Sequence, residues 1–275
     1  MEDPAVVAMS RAILAALVAL LLAGCAGMSA RNPLAQWVPS PNFDAREPTL
    51  IVLHYTQEAN AQVALHTLRT KNSGGPVSAH YLVGKDGEIY QLVADGARAW
   101  QAGPSFWAGA GDVNSRSIGI EIDNNGAEPF AQSQIDALLK LLADLTTRYP
   151  IRPTSIVGHA DVAETRKADP GVFFPWRELA AQGFGLWYDA DPLPDPPPAF
   201  DPLVALRLIG YTVADPTAAS VAFHRHFRGN DAGELDARDR KILWNLQGKL
   251  LRQDVVPPPP PVGYRQLKDL QPGKP

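Results

Sequence analysis

Short apolar runs alternate with longer amphipathic stretches along this chain, a rhythm that predicts strands interleaved with helices. Leu50-Ile-Val-Leu-His54 predicts a strand that ends in a histidine. Asn60–Thr70 carries a partial apolar stripe at Val63, Leu65 and Leu68 and predicts a helix. Val77–Val83 and Glu88–Val93 predict two strands turned at Asp86-Gly87, because glycine accepts the positive φ of a tight hairpin. Ser117–Asp123 alternates Ile118, Ile120 and Ile122 with Gly119 and Glu121, so Glu121 projects from the face opposite the isoleucines. Ile135, Leu138, Leu139, Leu142 and Leu145 recur at helical spacing and stop before Pro150. Ser155–Gly158 predicts another strand and Trp176–Gln182 a short helix. The implied class is α/β, a mixed central β-sheet flanked by helices, over residues 48–188.

Beyond residue 188 the pattern changes. Residues 189–200 are proline-rich and predict a semi-rigid linker. Asp201-Pro202 and Asp215-Pro216 each predict a helix N-cap followed by proline at the first helical position. Gly210 stops the first of these helices, and Leu235–Leu251 supplies a third, with Ile242, Leu243, Leu246 and Leu250 on one side. Residues 201–252 therefore predict a small three-helix domain, and 253–275, with its proline run, a tail.

At the other end, Arg11 precedes the apolar run Ala12–Ala23, too short for an ordinary membrane-spanning helix and shaped like a signal peptide over 1–24. Glu2 and Asp3 are foreign to such a leader, so Met9 is an alternative start. Residues 25–47 predict a tether. With 45% hydrophobic residues in 275, the chain can bury a sizeable core. Its net charge of −4 gives no basic footprint and argues against nucleic acid as a partner. Cys25 is the single cysteine, which excludes an internal disulfide.

The candidate chemistry gathers in Ile156–Gly171, which holds His159, Lys167 and Asp169, and at His54. Two imidazoles and one carboxylate with a fourth position left open form the ligand set of a catalytic zinc ion. Glu121 then offers a base for a bound water. Each residue also has a plainer reading. His54 can be a hydrogen-bonded core histidine, Asp169 a turn residue before Pro170, Glu121 a solvated carboxylate and Lys167 a solvated cation. His224 and His226 are two apart on a predicted helix and point to different sides, so they form no ligand pair. Trp100, Phe106 and Trp107 can stack on a sugar or pack into the core. No phosphate-binding glycine loop and no GxSxG serine elbow occurs.

In this order, His54, the Val77–Val83 strand, the Ser117–Glu121 strand and the His159…Lys167-Ala-Asp169-Pro-Gly run resemble the zinc-dependent N-acetylmuramoyl-L-alanine amidases of the amidase-2 type, from about Leu50 to Leu179. The resemblance implies a peptidoglycan recognition-like fold with one zinc ion on His54, His159 and Asp169. It implies Glu121 as general base and acid, Lys167 as the cation facing the oxyanion, and His80 as a second-shell or substrate-facing residue. The implied reaction is hydrolysis of the amide between N-acetylmuramic acid and L-alanine, with peptidoglycan or muropeptides as partner. Phage members carry a cysteine at the Asp169 position and a tyrosine where Ala79 stands, so more of the chemistry here falls to Glu121. Residues 201–252 bear a weaker likeness to an appended peptidoglycan-binding module. Leu22-Ala-Gly-Cys25 resembles a lipobox, which implies lipidation of Cys25 and a membrane-anchored lipoprotein. Ala26 after it implies the outer membrane, with the chain facing the periplasm. The alternative, from a different class, is a non-catalytic peptidoglycan-recognition or tethering lipoprotein.

Overall fold

A six-stranded sheet organises the computed structural model, which describes residues 31–45 and 48–252. The leader, Cys25 and the tail 253–275 lie outside the described residues. Along the chain the strands are β1 (Gln36–Trp37), β2 (Phe43–Ala45), β3 (Leu50–Tyr55), β4 (Lys71–Asn72), β5 (Gly75–Pro76) and β6 (Tyr81–Val83). They continue with β7 (Ile89–Gln91), β8 (Ala97–Ala99), β9 (Phe106–Trp107), β10 (Ala110–Gly111), β11 (Ser117–Ile122) and β12 (Ile156–Gly158). The central sheet has the order β1-β7-β6-β11-β3-β12. Only β6 and β7 pair antiparallel, so the sheet is mixed as expected. Gly87 turns that hairpin with φ +86. The helices are α1 (Ala61–Arg69), α2 (Gln132–Arg148), α3 (His159–Val162), α4 (Trp176–Ala181), α5 (Pro202–Ile209), α6 (Pro216–Phe227) and α7 (Ala237–Arg252). None of the described helices is long and apolar enough to cross a membrane.

β3 lies inside the sheet between β11 and β12 with side chains packed on both its faces, so Leu50, Ile51, Val52 and Leu53 are all buried. Side-chain alternation splits them. Ile51 and Leu53 join the isoleucines of β11 against Leu138 and Leu142 of α2. Leu50 and Val52 turn to the opposite face and join Leu206, Phe223 and Leu243 of α5, α6 and α7. The three C-terminal helices thus share one hydrophobic cluster with this face of the sheet, to which Ala102, Trp107 and Val113 also belong.

Local chemistry shapes the helices as their sequence anticipates. The Asp201 side chain accepts from the Leu203 and Val204 amides, and Asp215 from Ala218, each with proline in the first turn. The proline-rich stretch 189–200 is fastened rather than free: Asp189 pairs with Lys249 at 2.7 Å, Asp195 with Lys241 at 2.8 Å, and Leu193 and Phe200 are buried. Part of the segment read as a tether is likewise woven into the fold. β1 pairs with β7, and the Asn32 side chain donates to Asp144 at 2.8 Å. The expected Val77–Val83 strand forms its ladder only over Tyr81–Val83. Upstream, Ser78 N donates to Trp100 O, and His80 N donates to Gly119 O while its carbonyl accepts from Leu92 N.

Candidate functional site

Parallel neighbours deliver their side chains to the same end of a sheet, and this one places its histidines there. His54 sits near the carboxyl end of β3, and Gly158, paired with Leu53, ends β12 immediately before His159. Glu121 of β11 is in register with His54. Asp169 returns to the same spot through a backbone bond from Ala160 N to Asp169 O at 2.8 Å.

The three side chains converge on single atoms. His54 Nδ1 and His159 Nδ1 are 2.9 Å apart, and each lies 2.9 and 3.0 Å, respectively, from Asp169 Oδ2. All three residues are buried, and as a group they are able to hold a metal ion. Their outer hydrogen bonds sharpen that fit. The Ser117 hydroxyl donates to Val113 O at 2.7 Å, so its oxygen accepts from Gln101 Nε2 at 2.8 Å. That orientation leaves Gln101 Oε1 as an acceptor 2.6 Å from His54 Nε2, which must carry the ring proton. His159 Nε2 faces the Ala102 carbonyl at 3.1 Å and carries its proton for the same reason. Both Nδ1 atoms thus present lone pairs beside a carboxylate oxygen. A proton bridges only two of these acceptors at a time, whereas a metal ion can face all three.

Burial works to raise the Asp169 carboxyl, while the charge and hydrogen bonds that the His159 and His54 rings supply when protonated hold it well below the usual carboxylate range. Burial pushes Glu121 up to about 7, against the pull of His54. Glu121 Oε1 stands 4.0 Å from His54 Nδ1, and Oε2 has no hydrogen-bond partner. The cleft over these groups measures about 280 Å³ and is also lined by Lys167, Trp100 and Tyr55.

The structure therefore brings His54, His159, Asp169, Glu121 and Lys167 to one cleft. His80 is placed elsewhere: it is fully buried, Nε2 facing Ala97 O at 2.9 Å and Nδ1 accepting from the Gly119 amide at 3.0 Å. It bonds to β8 and β11 rather than into the cleft. Of the aromatic trio, Trp107 packs edge-on against Tyr211 in the core, while Trp100 lines the cleft. His224 and His226 bond to different partners, Asp239 and Asp161. Gln101, Ala102 and Asn114 were invisible to the sequence reading. They lie in or beside a loop with no periodicity, and only Gly119, an unusual residue for a buried strand, hints that something presses close.

Comparison with known proteins gives a consistent picture. A family profile described as N-acetylmuramoyl-L-alanine amidase, Amidase_2, matches residues 44–172. The N-acetylmuramoyl-L-alanine amidase AmiD of Escherichia coli K12 is 37% identical over 268 residues, covering 84% of this chain and 95% of AmiD. The solved complex of AmiD from E. coli with the substrate anhydro-N-acetylmuramic acid-L-Ala-D-gamma-Glu-L-Lys superposes with a TM-score of 0.64, over 74% of this chain and 91% of that one at 37% identity. AMPDH3 from Pseudomonas aeruginosa, solved with an anhydromuramic pentapeptide, superposes with a TM-score of 0.66 at 34% identity, over 80% of this chain and 98% of that one.

Proposed function

The chain belongs to the N-acetylmuramoyl-L-alanine amidase family, and from that premise we propose how its own residues perform the hydrolysis. The enzyme cleaves the amide between N-acetylmuramic acid and L-alanine in peptidoglycan or its fragments. One observation carries the reading of its centre: three acceptor atoms, His54 Nδ1, His159 Nδ1 and Asp169 Oδ2, converge within about hydrogen-bond distance at the cleft floor. In this reading they hold one zinc ion, which when bound supplies a Lewis acid for the scissile carbonyl and makes water more acidic.

The remaining steps fall to the protein. As the water oxygen bonds to the carbonyl carbon, Glu121 takes its proton, and a carboxylate raised towards neutrality by burial is suited to that exchange. The ammonium of Lys167, on the cleft wall, lends charge to the oxyanion. When the C–N bond breaks, its electron pair stays on nitrogen and Glu121 returns the proton there. The products are the lactyl carboxylic acid and the amine of L-alanine, and transfer of the acid's proton leaves carboxylate and ammonium.

The solved AmiD and AMPDH3 complexes support anhydromuramyl peptides as substrates for this chain as well. The lipobox-like Leu22–Cys25 supports acylation of Cys25 and a place on the periplasmic face of the outer membrane. Residues 201–252 fit a wall-contacting module built onto the hydrolase face rather than beside it.

The test is direct. Purified protein is incubated with an anhydromuramyl tripeptide, with and without chelator, and the products are weighed by mass spectrometry. The expected products sum to the substrate plus one water, with cleavage lost on chelation and restored by zinc. Intact substrate from the zinc-loaded sample would favour the recognition or tethering alternative.

A further inference from the structure

One dipeptide, Gln101-Ala102, receives the outer nitrogen of both cleft histidines: the Gln101 side chain meets His54 Nε2 at 2.6 Å, and the Ala102 carbonyl meets His159 Nε2 at 3.1 Å. The dipeptide is itself pinned. Asn114 Oδ1 accepts both of its amides, from Gln101 at 3.1 Å and from Ala102 at 2.8 Å. Asn114 is buried in the 3-10 turn Val113–Arg116 that leads into β11. The orientation of the Gln101 amide is set by Ser117, whose hydroxyl is already committed to Val113 O. Gly119 makes the space, since a Cβ there would stand 2.5 Å from Gln101 Cγ.

We infer that Gln101, oriented by Ser117 and Asn114 and admitted by Gly119, is a positioning residue that makes His54 offer Nδ1 to the metal. The inference rests on the zinc reading above. An imidazole held by an acceptor at Nε2 must keep its proton there, so Nδ1 stays a lone pair and the ring plane is fixed. Without that acceptor the ring is free to turn or to move its proton to Nδ1, which blocks ligation. The outer partners of metal-bound histidines commonly govern affinity for this reason. Gln101 approaches His54 from 47 residues away in the sequence, so the fold and not the local chain supplies this acceptor.

The experiment compares the wild-type protein with Gln101→Met and Gln101→Glu, each confirmed as folded by circular dichroism. Zinc affinity is measured by competition with a chromophoric chelator, and the ring N–H protons of the zinc-loaded proteins are followed by proton NMR. Gln101→Met removes the acceptor at near-constant volume and should weaken zinc binding about 10- to 100-fold. It should also remove the slowly exchanging, downfield His54 Nε2–H signal. Gln101→Glu keeps an acceptor oxygen and should retain the signal with affinity close to wild type. Asn114→Ala releases the dipeptide under both histidines and should weaken binding as well. If Gln101→Met binds zinc as tightly as wild type with the ring signal unchanged, the positioning role is overturned. A wild-type protein that binds no zinc would instead overturn the metal reading.

Discussion

The phenol of Tyr211 donates to the Asp161 carboxylate across 2.7 Å, which joins the C-terminal helices to the short helix that begins at His159. The other Asp161 oxygen accepts from the Gly158 amide at 2.7 Å and lies 2.7 Å from His226 Nδ1. The same loop is held again where Thr212 N donates to Glu164 and where Arg225 donates to Lys167 O. Two proposed metal ligands and Lys167 thus sit on a segment gripped by residues 211–226. The phenol remains a donor throughout the working range, because burial and the Asp161 charge push it well above its ordinary value.

Replacing Tyr211 by phenylalanine keeps the packing against Trp107 and strips one donor from a buried carboxylate. The expected cost is about 1–3 kcal/mol of unfolding free energy. Urea denaturation of the two proteins measures it. An unchanged midpoint and slope would mean that the hydroxyl contributes nothing.

Ending the chain near Asp189 should not leave a working hydrolase. The cut would remove Leu206, Phe223 and Leu243, which share one core cluster with Leu50, Val52 and Val157, and each fully buried aliphatic side chain contributes roughly 1.5–3 kcal/mol. The truncated protein should be insoluble or lose its cooperative thermal transition. A soluble fragment that melts cooperatively and cleaves small muropeptides at the full rate would refute this.

Glu121→Ala should separate metal binding from turnover. Glu121 Oε1 stands 4.0 Å from His54 Nδ1 and is not one of the converging atoms, so zinc content should stay near one per chain. Positioned acid–base groups contribute about 10²–10⁴-fold, and the loss should fall on kcat. His159→Ala should lose zinc and activity together. Metal analysis of the two purified variants, beside steady-state kinetics, checks both outcomes.

Gly119→Ala tests the space behind His54. The added methyl would meet Gln101 Cγ at 2.5 Å, and overpacking of this kind typically costs about 1–3 kcal/mol. Thermal melting should fall and zinc affinity should drop with it. Equal zinc affinity in a less stable protein would show that Gln101 moves aside without disturbing the histidine.

For the anchor, Cys25→Ala should shift the protein from the membrane fraction to the soluble periplasmic fraction, with cleavage of soluble muropeptides retained. Continued sedimentation with membranes after mild salt washing would argue for another means of attachment.

Local pattern was enough for much of this protein. Alternation along Ser117–Ile122 already put Glu121 opposite the isoleucines, and the structure keeps it there, facing His54. The Asp-Pro pairs at 201 and 215 announced their helix starts, because capping is settled within four residues. A histidine after each of two apolar runs marked both imidazoles. Only the folded chain decided what surrounds them. Gln101 and Ala102 reach the histidines across 47 and 57 residues, through hydrogen bonds that no periodicity encodes. By sequence His80 reads as a second-shell, a substrate-facing or an ordinary strand histidine, and the folded chain buries it against Gly119. The C-terminal helices read as a unit of their own because amphipathic spacing shows which face is apolar, not what that face covers. Here that face shares one core cluster with Leu50 and Val52, and Tyr211 adds a hydrogen bond to Asp161 beside the site.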